Sequence, residues 1–313
     1  MTKHVSVLLN ESIDGLNIQA SGIYVDGTFG RGGHSDKILK LLDESGRLFV
    51  FDKDPQAIDC AKEKYANDRR VIIYHGSFKS VKSVIANYDL LGCVNGILLD
   101  LGISSPQIDQ AERGFSFLKC GPLDMRMNPT VGLSAKGVLI QYDEQQLADI
   151  FYQYGEERFS RKIARVIKQY LADGKKIDTT TELANLVSQI IPKARHEKNK
   201  HPATRVFQAL RIFVNEELSD LETLLSDVKS ILSDQGRLSV ISFHSLEDRI
   251  VKHFIQKEIS GNQAQIPRGL PVEVFKANFK WIHKKIKPSS DELKDNIRSR
   301  SATLRVAERI INV

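Results

Sequence analysis

Four short apolar runs stand out in the first hundred residues: Ile23-Tyr-Val-Asp26, Arg47-Leu-Phe-Val-Phe-Asp52, Val71-Ile-Ile-Tyr74 and Val94-Asn-Gly-Ile-Leu-Leu-Asp100. Between them, apolar residues recur at helical spacing. One such stretch covers Ser35–Leu42 and is closed by Gly46; a second runs from Asp54-Pro55 to about Tyr65; a third covers 78–87. Asp54 followed by Pro55 reads as an N-cap with proline at the first helical position, where its missing N–H costs nothing. Near-continuous apolar strands alternating with helices predict a parallel sheet covered on both faces. The fold class is α/β, a Rossmann-like doubly wound sheet.

The rhythm then breaks. Residues 101–133 are rich in Gly, Pro and Ser, and residues 134–190 read as helices alone, including Glu144–Tyr154, Phe159–Leu171 and Thr180–Ile191, the last with a Thr cap and Pro192 just beyond. Helices continue over about 204–233. Strand patterns return at Gly236–Phe243, Phe279–Ile286 and Ser301–Val306. The predicted organisation is an α/β core formed by residues 1–105 and 205–313, split by an all-helical insertion over 106–204. An insertion entering after the fourth strand would overhang the carboxyl ends of the strands, where open α/β sheets bind ligands.

A length of 313 residues fits two domains, and 41% hydrophobic with 27% charged residues is ordinary for globular chains. Disordered, collagenous and disulfide-framework classes are excluded. No apolar stretch reaches membrane-spanning length, and the first residues are polar where a signal peptide would be apolar. Three cysteines without CxxC spacing point to a reducing cytoplasm and to no cysteine metal site. The net charge of +6 is uneven: residues 244–313 hold 14 basic and 8 acidic groups, whereas residues 1–105 hold 12 and 13. A basic tail with the cluster Lys284, Lys285 and Lys287 points to a polyanionic partner, nucleic acid first.

The loop Asp26-Gly-Thr-Phe-Gly-Arg-Gly-Gly-His34 joins the first strand to the first helix of the sheet. Glycines there allow close backbone approach to a ligand at a helix N-terminus. Gly27 and Gly32 have the spacing of a phosphate-binding Walker loop, but Gly33-His34 replaces its Lys and hydroxyl residue. A dinucleotide fingerprint starting at Gly30 fails at Ser35. The remaining comparison is an S-adenosylmethionine loop, an acid followed by spaced glycines. Asp52, ending the second strand 22 residues after Gly30, is placed to accept hydrogen bonds from both ribose hydroxyls. Its alternative role as a helix cap is already taken by Asp54.

Longer motifs complete the picture. The segments His4-Val-Ser-Val-Leu-Leu-Asn-Glu11, Asp26–His34, Asp100-Leu-Gly-Ile-Ser-Ser-Pro-Gln107, Arg113-Gly-Phe-Ser-Phe117, Leu123-Asp-Met-Arg126, Ser242-Phe-His-Ser-Leu-Glu-Asp-Arg249 and Arg298-Ser-Arg-Ser-Ala-Thr-Leu-Arg305 together resemble the bacterial small-subunit ribosomal RNA methyltransferase H family. The resemblance implies a class I S-adenosylmethionine methyltransferase with an inserted helical domain. It implies methylation of N4 of a cytidine in the decoding centre of small-subunit (16S) RNA, with that RNA or the assembled small subunit as partner. By motif position, Gly32, Gly33 and His34 would line the methionine end of the cofactor, Asp52 the ribose and Phe78 the adenine. Asp100 and Gln107 would contribute from the segment after the fourth strand. That segment lacks the Asp-Pro-Pro-Tyr type motif of many DNA amino-methyltransferases, so Ser104, Ser105 and His244 become the candidates for the cytidine pocket. Their plain alternatives are turn residues and a helix-start cap.

Other chemistries fail on spacing. His196-Glu197 and His201 are one residue too far apart for a zinc H-E-x-x-H helix, and Lys193–Lys200 reads instead as a basic turn. Gly102-Ile-Ser-Ser-Pro lacks the final Gly of a serine-hydrolase elbow. Methylation at C5 of cytosine would need a cysteine nucleophile, and of Cys60, Cys93 and Cys120 only the last lies in a loop that could approach a base.

Overall fold

The computed structural model describes residues 6–192, 201–260 and 276–311, and the chain divides into two compact units. The basic turn expected over 193–200 lies outside the described residues. Unit one comprises residues 1–102 and 218–313; unit two comprises 103–217.

Unit one is built on a seven-stranded sheet: β1 (Ile23–Asp26), β2 (Arg47–Asp52), β3 (Val71–His75), β4 (Val94–Asp100), β5 (Leu232–Ser242), β6 (Phe279–Ile286) and β7 (Thr303–Arg309). The order is β3-β2-β1-β4-β5-β7-β6, and only the pairings of β7 are antiparallel. This is the class I methyltransferase sheet that the resemblance implied. Strand side chains alternate between faces. Val25, Phe49, Phe51, Ile97 and Leu99 join one buried cluster, while Tyr24, Leu48, Val50 and Leu98 join the other. Helices α1 (Leu9–Leu16), α2 (Gly33–Leu39), α3 (Pro55–Lys64) and α4 (Val81–Ala86) belong to the first half of the unit. Asp54 caps α3 as read from the sequence, its carboxylate accepting the Gln56 N–H at 2.9 Å.

Unit two contains α5 (Ser105–Asp109), α6 (Ala135–Gln141), α7 (Glu144–Gly155), α8 (Ser160–Ala172), α9 (Thr180–Ile190) and α10 (Thr204–Val214). Its core is a single cluster in which Leu147, Phe151, Ile163, Ile167, Leu183, Val187, Val206 and Leu210 are fully or almost fully buried. The helix starts at Asp143 and Thr179 are capping boxes closed by Gln146 and Glu182. The sequence places the end of this unit at 204. It runs to Glu217 because the apolar face of α10 (Val206, Phe207, Leu210) is part of the helical core.

Unit one resumes with α11 (Glu217–Ile231), whose first residue closes unit two, and continues through β5, α12 (Ser245–Ser260), β6, α13 (Ser290–Asp295) and β7. Two strand starts differ from the sequence reading. β5 starts at Leu232 rather than 236 because Leu232 pairs with Val94 before an irregularity carries the register to Gly96–Arg237. β7 starts at Thr303 rather than 301 because Ile297–Ser301 wind into a short 3-10 helix.

Where α7 meets α10, a side chain at Gly155 would place its Cβ 2.5 Å from the Arg205 carbonyl oxygen and 3.2 Å from the Ala209 Cβ. Backbone in a helix cannot yield cheaply. Gly155→Ala should therefore destabilise the chain by about 1–3 kcal/mol, the usual cost of overpacking. A urea midpoint equal to wild type would show that these two helices tolerate a wider spacing.

Candidate functional site

β1 lies between β2 and β4, so the loops leaving β1 and β4 diverge and open a crevice at the carboxyl edge of the sheet. The final residues of β1, β2 and β4 are all acids: Asp26, Asp52 and Asp100. Each is held differently.

Asp26 is 1% exposed. It accepts the Thr28 N–H at 3.1 Å and the Ser35 hydroxyl at 2.6 Å, tying both ends of the glycine loop to β1. Burial raises its pKa to about 6 against those hydrogen bonds. Asp52 accepts the Gly30 N–H at 2.8 Å through one oxygen and the Asp54 N–H at 2.9 Å through the other. Each carboxylate oxygen carries two acceptor positions, so two remain for ligand hydroxyls. Burial raises the Asp52 pKa to about 6 as well.

Asp100 donates its backbone N–H to the Thr28 hydroxyl at 2.6 Å, and one carboxylate oxygen lies 3.7 Å from His34 Nδ1. The other oxygen, Oδ1, is buried without a hydrogen-bond partner among the described residues. Its pKa is driven well above the usual range, first by burial, then by the negative charges of Asp26, Glu247 and Glu292. A buried acceptor with no donor, next to three further acids, is suited to a cationic ligand group.

The loop itself uses its glycines unequally. Gly32 has φ +76°, and a Cβ there would sit 2.6 Å from the Phe29 ring. At Gly33 a Cβ would fall 2.0 Å from Ser6 Oγ, so this glycine makes room for the N-terminal segment. The same segment reaches His34, which is buried with Nε2 3.2 Å from the Val7 carbonyl oxygen. Phe78 opens the short 3-10 helix after β3, half-buried against the sheet core. Its Cβ lies 3.1 Å from where a Cβ on Gly27 would stand, so the two turns nearly touch.

Six expected cofactor residues, Gly32, Gly33, His34, Asp52, Phe78 and Asp100, thus follow the carboxyl ends of β1 to β4 within unit one. His244 follows β5. Its Nε2 is 3.1 Å from Glu247 Oε1, and Glu247 Oε2 accepts the Phe243 and His244 N–H groups at 2.8 and 3.2 Å, so the ring is held at the start of α12. Gln107, Ser104 and Ser105 belong to unit two. Ser104 is the N-cap of α5, and its N–H donates to Gln107 Oε1 at 2.9 Å.

Sequence reasoning did not single out Thr28, Glu247 or Glu292. Glu292 accepts the Leu8 N–H at 2.7 Å from the far end of the chain, a link that no local pattern announces. Glu247 had a signal, an acid three residues into a helix, as in a capping box. On the basic tail, Lys287 is exposed like Lys284 and Lys285, and its ammonium donates to the Thr303 hydroxyl at 2.6 Å and the Ala302 carbonyl at 2.9 Å.

The model of the MraW methylase family matches residues 1–310. A protein of Legionella pneumophila (strain Corby) named "Ribosomal RNA small subunit methyltransferase H" is 51% identical over 313 residues, covering 99% of this chain and all of the relative. One of the same name from Hydrogenovibrio crunogenus is 52% identical over 309 residues, covering 99% of this chain and 97% of the relative. Among solved structures, a methyltransferase from Streptococcus mutans in complex with SAH has a TM-score of 0.45 at 12% identity, covering 98% of this chain and 100% of its own.

The raised carboxyl of Asp52 has a measurable signature. Unfolded, it ionises near 3.8; folded, near 6. Across that window the unfolded chain has lost a proton that the folded chain keeps, so this group's contribution to stability falls as pH rises. Asp52→Asn cannot ionise. Its stability relative to wild type should therefore improve steadily from pH 4 to pH 7 in urea titrations, and a difference independent of pH would mean that Asp52 titrates normally in the folded chain.

Proposed function

The chain belongs to the MraW methylase family, and from that premise we propose that it transfers a methyl group from S-adenosylmethionine to N4 of a cytidine in the decoding centre of small-subunit (16S) ribosomal RNA, in the cytoplasm. The observation that carries this reading is the end-to-end relation, at half of all positions, to proteins named for that RNA. Among the described residues no helix is long and apolar enough to cross a membrane.

The residues at the carboxyl edge fit the donor. When bound, it supplies a methyl group made electrophilic by a sulfonium charge. Asp100 Oδ1, buried without a donor, would receive the ammonium of its methionine end, beside Gly32, Gly33 and His34. Asp52 would accept the ribose hydroxyls with its two remaining lone-pair positions while the Gly30 N–H keeps its carboxylate in place. Phe78 would cover the adenine. Gln107, in α5, is the further candidate for holding the donor.

On the acceptor side, the amine nitrogen of cytosine needs in-line placement and a group to take its proton, chiefly an orientation effect. Ser104, Ser105 and His244 are the candidates for holding the cytidine, and Glu247 lies 3.1 Å from the His244 ring. No covalent adduct to the base is needed. Cys120 is exposed and its sulfur accepts the Thr181 hydroxyl at 3.3 Å. RNA phosphates would meet the exposed Lys284 and Lys285.

Methyl transfer is tested with assembled small subunits that lack the mark. Digested product RNA should contain N4-methylcytidine, and Cys120→Ser should keep most of the activity. Finding 5-methylcytidine that disappears in Cys120→Ser would overturn the mechanism. The RNA surface is tested by salt. Each neutralised phosphate steepens the fall of log K with log salt by about 0.7–0.9, so Lys284→Gln with Lys285→Gln should flatten the slope by up to about 2. An unchanged slope would make this pair an ordinary solvated face.

A further inference from the structure

The side of unit one that holds Phe78 contains a buried charge that the mechanism above does not use. Asp220, in the first turn of α11, is 0% exposed. It accepts the Ser77 hydroxyl at 2.5 Å and lies 2.5 Å from Lys53 Nζ and 3.0 Å from Lys79 Nζ. These three partners are not scattered. Lys53 immediately follows Asp52 at the end of β2, and Ser77 and Lys79 flank Phe78 after β3. One carboxylate on a helix more than 140 residues away therefore grips both turns on which the adenosine end of the donor depends.

The local bonds explain how the grip works. β2 and β3 pair in register up to Asp52–His75, after which each strand enters its own turn. The Gly76 N–H still reaches the Asp52 carbonyl oxygen at 2.9 Å, and His75 Nε2 lies 3.0 Å from the Lys53 carbonyl oxygen. Beyond that point Asp220 links the two turns. Because Ser77 gives its hydroxyl proton to Asp220, its lone pairs face the other way, and one accepts the Lys79 N–H at 3.2 Å to cap the 3-10 turn that starts at Phe78. A buried carboxylate demands such donors. Leaving one without partners is costly, so the donors around Asp220 are held close to it.

We propose that Asp220 is a positioning residue for the adenosine pocket: by binding Ser77, Lys53 and Lys79 at once, it fixes the separation between Asp52 and Phe78. It touches no part of the donor itself. The inference rests on the placement of adenosine between Asp52 and Phe78 made above, and its test keeps the two apart.

The test uses the full chain and two probes, S-adenosylhomocysteine and 5′-methylthioadenosine, the second of which carries the adenosine end without the amino-acid end. Asp220→Asn keeps the shape and removes the charge; Ser77→Ala removes one bond and is the fallback if Asp220→Asn does not fold. In titration calorimetry on folded protein, Asp220→Asn should weaken both probes by the same factor, roughly three- to thirtyfold, as expected for a residue that acts through its neighbours. Ser77→Ala should weaken both by a smaller equal factor. In the methyl-transfer assay, the KM for the donor should rise with kcat little changed. Wild-type affinity for both probes in the folded variants would overturn the proposal and reduce Asp220 to a structural ion pair. Loss confined to S-adenosylhomocysteine would overturn it too, by moving the effect to the methionine end. Phe78→Ala separates the premise: if it leaves 5′-methylthioadenosine binding unchanged, the adenosine placement fails and the proposal with it. If Phe78→Ala weakens binding and Asp220→Asn does not, the placement stands and the positioning role alone is lost.

Discussion

A parallel sheet that winds outward in both directions from β1 must leave a gap where its connections part, and everything at the site follows from that constraint. The chain leaving β1 returns as β2 on one side of it in the sheet, and the chain leaving β4 returns as β5 on the other. Backbone groups at the strand ends there lose their ladder partners, so the residues that finish the strands must supply replacements. Asp26 and Asp52 do so for the N–H groups of the glycine loop, and Thr28 does so for the N–H of Asp100. The loop conformation is set by the acids around it as much as by its own glycines.

That solution concentrates negative charge. Asp52 repels Asp26, and Asp26, Glu247 and Glu292 repel Asp100, while burial removes the water that would screen Asp26 and Asp100. The protein meets the cost unevenly. Asp26 and Asp52 are satisfied by hydrogen bonds, whereas one oxygen of Asp100 is not. A site that keeps an acid unsatisfied is ready for a cation. Net positive charge elsewhere on the chain does not conflict with this, because an RNA surface and a cofactor crevice need opposite signs over short distances.

Much of this was legible in the sequence. Four apolar runs gave β1 to β4 within a residue or so, because a buried parallel strand has no polar side to blur its pattern. The acids ending them and the glycines between them were visible for the same reason. The helical break was visible as a loss of strand signals. The stretch 101–133 was not readable, since its order comes from distant partners. Asn215 donates to the Met125 carbonyl and accepts the Met127 N–H, both at 2.7 Å, and Arg113 reaches the carbonyls of Arg126 and Met127. The partners of Lys287 were hidden for a related reason: the Ser301 and Ala302 carbonyls and the Thr303 hydroxyl to which it donates belong to another stretch of chain.

The strand order has a bearing on biosynthesis. β7 is the last of the described strands to be made, yet it sits inside the sheet, bonded to β5 on one side and β6 on the other. α1, made first, packs against it: a Cβ on Gly15 would fall 2.8 Å from a methyl of Val306. During synthesis β5 must therefore wait with an open edge, and the N-terminal helix must wait without its strand. Such long-range closure is slow and comes late. The crevice walls made by β1 to β4 can form on the nascent chain, but the sheet that supports them is complete only once β7 has been made.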